Sequence, residues 1–242
     1  RKVGVLWADM RGQSWQERLF PNLLIMFFMC VGCVSLGNTD EVFHYETAVD
    51  AALLDNDYER ALSIGTGSPR TSRELSVMRA YALSRIDSLP ERLFEYPQCD
   101  ASRGLLFEAG TPQTTWLKHH AVYDYLGGNP RAGESVTAYL RRLCYTETGN
   151  APALDYYLCA LLLRKELDVF AKELGYFCYV EPGLPRAYLE ALFLYYAKHP
   201  EQEPPFDLSA LGRDYQHYRL SPSAHGRSYW SYYDHTTIRY VK

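Results

Sequence analysis

Apolar positions recur every three to four residues through most of the chain, and short clusters of Gly, Pro, Asn and Asp interrupt them. In YETAVDAALLDNDYERALSIG, residues 45–65, Val49, Ala52 and Leu53 fall on one helical face and Asn56-Asp57 punctuates. Tyr58, Ala61, Leu62 and Ile64 then begin a second face. A short helix that is apolar on one side has to pack on a neighbour. The spacing predicts helices over about 40–55, 57–66, 71–86 and 88–96, then 111–127 and 129–148. Further helices are expected over about 152–164, 166–177, 185–199, 207–218 and 226–240. Asn38 with Glu41, Thr71 with Glu74 and Ser88 with Glu91 have capping-box spacing, and Thr111-Pro112 and Asn129-Pro130 each offer a cap followed by an N1 proline. No alternating strand pattern is present, so the expected class is all-α.

Paired helices joined by short turns build either a bundle or a solenoid. Self-similarity favours the solenoid. Tyr58-x-x-Ala61 after an Asn-Asp turn resembles the start of the second helix of a tetratricopeptide repeat, and Leu89, Glu91 and Leu93 after Asp87 echo it. The repeats lack the Trp and Gly of the full pattern. The expectation is a tetratricopeptide-like α-α superhelix of antiparallel helix pairs.

One segment breaks the amphipathic pattern. Leu19 to Thr39 carries no charge. Its core, Leu23 to Leu36, would extend about 20 Å as a helix, against roughly 30 Å of hydrocarbon; Leu19, Phe20 and the flanks bring it near the lower limit for a span. Residues 19–37 are therefore expected to be a transmembrane helix, with 1–18 ahead of the membrane and 38–242 as the helical-repeat domain. Two other readings compete: a signal peptide starting near Met10 with Arg11 and Arg18 as its basic region, and a buried soluble helix. A lipid-bearing Cys33 would need a Leu that Cys30-Val31-Gly32 lacks. Arg1, Lys2, Arg11 and Arg18 precede the segment, whereas Asp40, Glu41, Glu46 and Asp50 follow it, which places 38–242 on the outer side. The expected setting is a bacterial inner membrane with that body in the periplasm. The chain begins with Arg1, so processing, or membrane helices further upstream, is expected.

Charge narrows the partners. Asp and Glu number 29 against 25 Lys and Arg, the net charge is -4, and the densest basic run is Arg141-Arg142. A nucleic-acid footprint needs a basic stripe, and none is expected here. Cys99, Cys144, Cys159 and Cys178 are expected to be free thiols, because Cys144 and Cys159 stand at unequal distances from the turn at Gly149-Asn150.

Chemistry-bearing clusters are few. His119-His120 with Asp124 is the best metal-like group, His120 and Asp124 sharing a helical face, but zinc wants three or four ligands. Trp116, His120 and Tyr123 also share a stripe, so His120 is expected to pack between helices. His217, His225, Asp234 and His235 match no ligand spacing. Ser223-Ala224-His225 lacks a nucleophile elbow, and Glu201 and Glu203 lie in a Pro-rich loop where solvation is the plain reading. Gly65-Thr66-Gly67-Ser68-Pro69 reads as a helix stop rather than a phosphate loop, since no Gly-Lys-Ser/Thr follows. Tyr229, Trp230 and Tyr233 are the candidates for binding a partner, with packing over the last repeat as the competing reading. No catalytic residue and no cofactor is expected.

The segments LPERLFEYPQ (89–98), LPRAYLEALFLYYAKHP (184–200) and GRSYWSYYDH (226–235) occur in that order. So arranged, the chain resembles the C-terminal half of an uncharacterised Bacteroidota membrane-protein family, a domain of unknown function. The resemblance implies several N-terminal membrane helices followed by a tetratricopeptide-like outer domain, and supplies no activity. The function expected is a membrane-tethered helical scaffold that holds a protein or peptide. Two alternatives stand beside it: an accessory domain of a multispan enzyme or transporter whose active site lies upstream, and a small metalloenzyme using His119, His120 and Asp124.

Overall fold

The computed structural model describes residues 15–36, 40–108, 115–146, 148–222 and 227–236. Among them are twelve α-helices, two 3-10 turns and no strand. The chain is all-α. It divides into two compact units, residues 1–41 and 42–242.

The first unit holds α1, Trp15–Leu36. Of its described side chains, Leu19, Phe20 and Leu23 to Met29 are exposed, and Val31 with them. A helix that is apolar on every side and uncovered is unusual, since apolar helices are ordinarily buried. The expected membrane span is not supported at full length, because no helix among the described residues is long and apolar enough to cross a membrane. Pro21 and Asn22 interrupt the apolar run near the start, and what remains is short against the hydrocarbon layer.

In the second unit, α2 (Glu41–Leu54) buries Val49, Ala52 and Leu53, the face that its spacing marks. Asn56 turns the chain at φ 55, and Asp57 caps α3 (Tyr58–Ser63) by accepting the Arg60 N–H at 3.1 Å. The cap of α4 (Arg73–Arg85) is Ser72 rather than Thr71, its hydroxyl accepting the Leu75 N–H at 3.0 Å. Every residue of α4 from Leu75 to Ser84 is buried. The expected fourth helix is a single turn, α5 (Leu89–Arg92), continued as a 3-10 turn over Leu93–Glu95. A second 3-10 turn, Ala101–Leu105, brings Gly104 so near the Cys99 carbonyl that an added Cβ would lie 2.2 Å from that oxygen.

Thr111-Pro112 lies outside the described residues. The helix after it, α6, runs His119–Leu126 and ends at Gly127, whose φ of 110 lets the amides of Gly127 and Gly128 both return to the Tyr123 carbonyl at 3.0 Å. Asn129-Pro130 does not open a helix. Gly133 at φ 73 turns the chain, and α7 (Val136–Tyr145) starts from a Ser135 cap. Then come α8 (Pro152–Leu163), α9 (Leu167–Phe177), α10 (Arg186–Lys198), α11 (Ser209–Leu220) and α12 (Tyr229–His235).

Several consecutive elements pack in chain order: α3 on α4, α4 on α5, then α7 on α8, α8 on α9, α9 on α10 and α10 on α11. This is the relation that stacked helix pairs require. Other contacts reach further. α8 lies against α5, α6, α7, α9 and the 101–105 turn, and α10 touches both α5 and α12. Those neighbours explain why α8 is buried from Tyr156 to Leu163 on all its faces.

Candidate functional site

The metal-like cluster does not assemble. Asp50, buried, accepts the N–H groups of Trp116 (2.5 Å) and Leu117 (2.9 Å) and holds that stretch out of the helix. Helical register therefore begins only at His119, Trp116 is exposed, and the expected Trp116–His120–Tyr123 stripe is corrected. His119 is the packing residue. Its ring stacks on Phe107 at 4.3 Å, and burial pushes its pKa down. His120 and Asp124 are exposed, and no group of three His, Cys, Asp or Glu placed to hold a metal occurs among the described residues.

The C-terminal aromatics lie inside. Tyr229 and Trp230 are fully buried, which corrects their assignment as partner-binding residues. The Tyr229 hydroxyl donates to Leu162 O (3.3 Å) and the Tyr232 hydroxyl to Leu163 O (2.6 Å), so α12 satisfies carbonyls at the C-terminal end of α8. The Trp230 indole donates to Glu190 O at 3.0 Å. Tyr233 is half-buried beneath two ammonium groups, Lys165 at 5.2 Å and Lys198 at 5.0 Å from its ring. Lys165 also donates to the Tyr233 and Thr236 carbonyls at the end of α12, where a cation suits the helix dipole.

The remaining candidates are dispersed. Ser223, Ala224 and His225 lie outside the described residues. His217 and His235 are exposed, and Asp234 accepts the Tyr218 hydroxyl at 2.9 Å. Glu201 binds His199 at 3.1 Å, and the other ring nitrogen of His199 meets Asp168 at 2.8 Å. Spacing gave no hint of that histidine, because Asp168 comes from a different helix. Cys99, Cys144, Cys159 and Cys178 are unbridged, and burial raises each thiol, Cys144 to about 11. Such thiols are poor nucleophiles near neutral pH.

Concavity appears elsewhere. The turn after α3, the segment following α5 and the helix α12 enclose a groove of about 630 Å³. Thr66, Glu95, Tyr96 and Arg227 also line an adjoining hollow of about 240 Å³ that reaches Glu59 and Arg92. Gln98, Ser228, Ser231 and His235 border the larger part. The Gly65–Pro69 turn is a helix stop, and it is one wall of this groove as well. Arg92 sits between Glu95 at 3.2 Å and Glu59 at 3.8 Å, so its charge is already balanced.

No curated protein and no solved structure matches the chain. Residues 131–236, which contain α7 to α12, match the family described as Family of unknown function (DUF6057), in keeping with a resemblance to an uncharacterised domain of that kind.

Proposed function

We infer that the chain is a membrane-tethered helical scaffold whose body, built from stacked helix pairs, holds a protein or peptide partner. One observation carries the reading: α1 presents exposed apolar side chains on every face from Leu23 to Met29. A partner helix would cover one stripe of such a surface, whereas lipid covers the whole circumference. The setting that this reading implies is a bacterial inner membrane, with the body facing the periplasm. Tyr176, exposed and stacked on Tyr145, gives the body an aromatic surface of the type that anchors partners.

Flotation with phospholipid vesicles tests the tether. The full chain should float, and Ile25→Arg with Phe28→Arg should leave it in the dense fraction with its helical content unchanged. Flotation of both proteins alike, or of neither, would overturn the reading.

A further inference from the structure

The helix α2 turns its mid-helix carboxylates inward and leaves an uncharged face outward. Glu46 accepts the Ser72 hydroxyl, and Asp50, 4% exposed, accepts the amides of Trp116 and Leu117. The residues that α2 exposes are Phe43, His44, Thr47, Ala48, Ala51 and Leu54, none of them Asp, Glu, Lys or Arg. Thr47 folds its hydroxyl back onto the Phe43 carbonyl at 2.9 Å, which takes one more polar group off that face. A helix on a solvated surface carries its charge on the outside.

Trp116 extends this face. Asp50 stands seven residues after Phe43 and four before Leu54, on the same line of the helix. The stretch that Asp50 holds therefore crosses α2 between those two side chains, and it presents the Trp116 indole at 70% exposure. Phe43 and Leu54 are exposed on either side, about 16 Å apart along the axis.

What adjoins the face indicates what covers it. Residues 37–40 separate the end of α1 at Leu36 from the start of α2 at Glu41, a connection that reaches at most about 18 Å. With α1 in lipid, α2 is kept close to the bilayer surface. There an indole is favoured, because its ring is apolar while its N–H reaches water. The bilayer is the apolar surface that the tether itself brings within reach.

We propose that the outer face of α2, with Phe43, Leu54 and Trp116, docks on the bilayer at the level of the headgroups, so that α2 lies along the membrane surface. The proposal rests on the tether inferred above.

Trp116 emission in phosphatidylcholine vesicles tests it. The full chain carrying Trp7→Phe and Trp15→Phe keeps Trp116 and the fully buried Trp230, which serves as the unquenched reference. Lipid brominated near the glycerol end of its acyl chains should remove most of the Trp116 emission, and nothing further should be lost once Trp116→Phe is added. Phe43→Glu with Leu54→Glu should weaken the quenching while the protein still floats with the vesicles and Trp230 emission, the check on folding, stays unchanged. Failure of the parent protein to float would remove the tether and this docking with it. Flotation with Trp116 untouched by bromine would overturn the docking alone, whether the face then meets water or another protein. Undiminished quenching in the folded double variant would overturn it as well.

Discussion

The buried carboxylate of Glu190 accepts the backbone N–H of Tyr229 at 2.7 Å, 39 residues further along the chain. Its other oxygen pairs with Arg186 at 2.8 Å, and its own carbonyl receives the Trp230 indole. One residue of α10 thus fastens the start of α12 to the body.

Removing that fastening should free α12. Glu190→Ala leaves a buried N–H without its acceptor and is expected to cost about 2–3 kcal/mol, read as a lower urea midpoint with red-shifted Trp emission. The pH dependence follows from the direction of the shift. Burial, partly opposed by Arg186, raises Glu190 above its ordinary value of 4.5. Its stabilising contribution is full below that value and is lost as pH rises through the raised pKa. Wild type should therefore lose stability relative to Glu190→Gln between pH 4.5 and neutrality. Wild type gaining stability relative to Glu190→Gln as pH rises would refute the assignment.

Glu134 behaves oppositely. Arg142 grips both its oxygens at 2.8 Å, and the Arg131 N–H adds a third bond, which holds its carboxyl down at about 2. Stability from this group is present above its ordinary 4.5 and is lost as pH falls through about 2. Glu134→Gln should remove about 1 kcal/mol at pH 6, allowing for solvent screening, and only a small part of that at pH 2. Urea midpoints across that range decide it, and equal losses at both ends would count against the ion pair.

His199, held by Asp168 and then Glu201, should titrate above its ordinary 6.5. Its protonated form is the favoured partner of both carboxylates, so the charge persists to higher pH. Imidazole NMR should place the midpoint above 6.5 and show it falling in Asp168→Asn. An unmoved midpoint would remove Asp168 from the account.

Two glycines should respond differently to the same change. A Cβ on Gly104 would lie 2.2 Å from the Cys99 carbonyl, whereas nothing lies within 4 Å of one on Gly67. Gly104→Ala is expected to cost about 2–3 kcal/mol through forced backbone movement, and Gly67→Ala less than about 0.5 kcal/mol. Thermal unfolding of the two variants compares them directly.

Local spacing was enough to place α8, α9 and α10 to within a residue or two, because their apolar residues recur regularly. Pro152, Pro182-Gly183 and Pro200 mark the outer ends, and the charged Arg164-Lys165-Glu166 interrupts the run between α8 and α9. It misplaced α7, since Asn129-Pro130 satisfies the rules for a helix start while Gly133 at φ 73 undoes it downstream. The aromatic run in α12 resembled a surface because each ring carries a polar tip. Those tips end on Leu162 and Leu163 carbonyls nearly seventy residues earlier in the chain, a pairing that leaves no local trace. The groove is likewise assembled from three separate stretches.

The tether is tested most directly at Cys30, which is exposed on α1. In a variant retaining only that cysteine, reconstituted into phospholipid vesicles, labelling by a membrane-impermeant maleimide should be blocked until detergent is added. Equal labelling rates with and without detergent would contradict the burial of α1 in lipid.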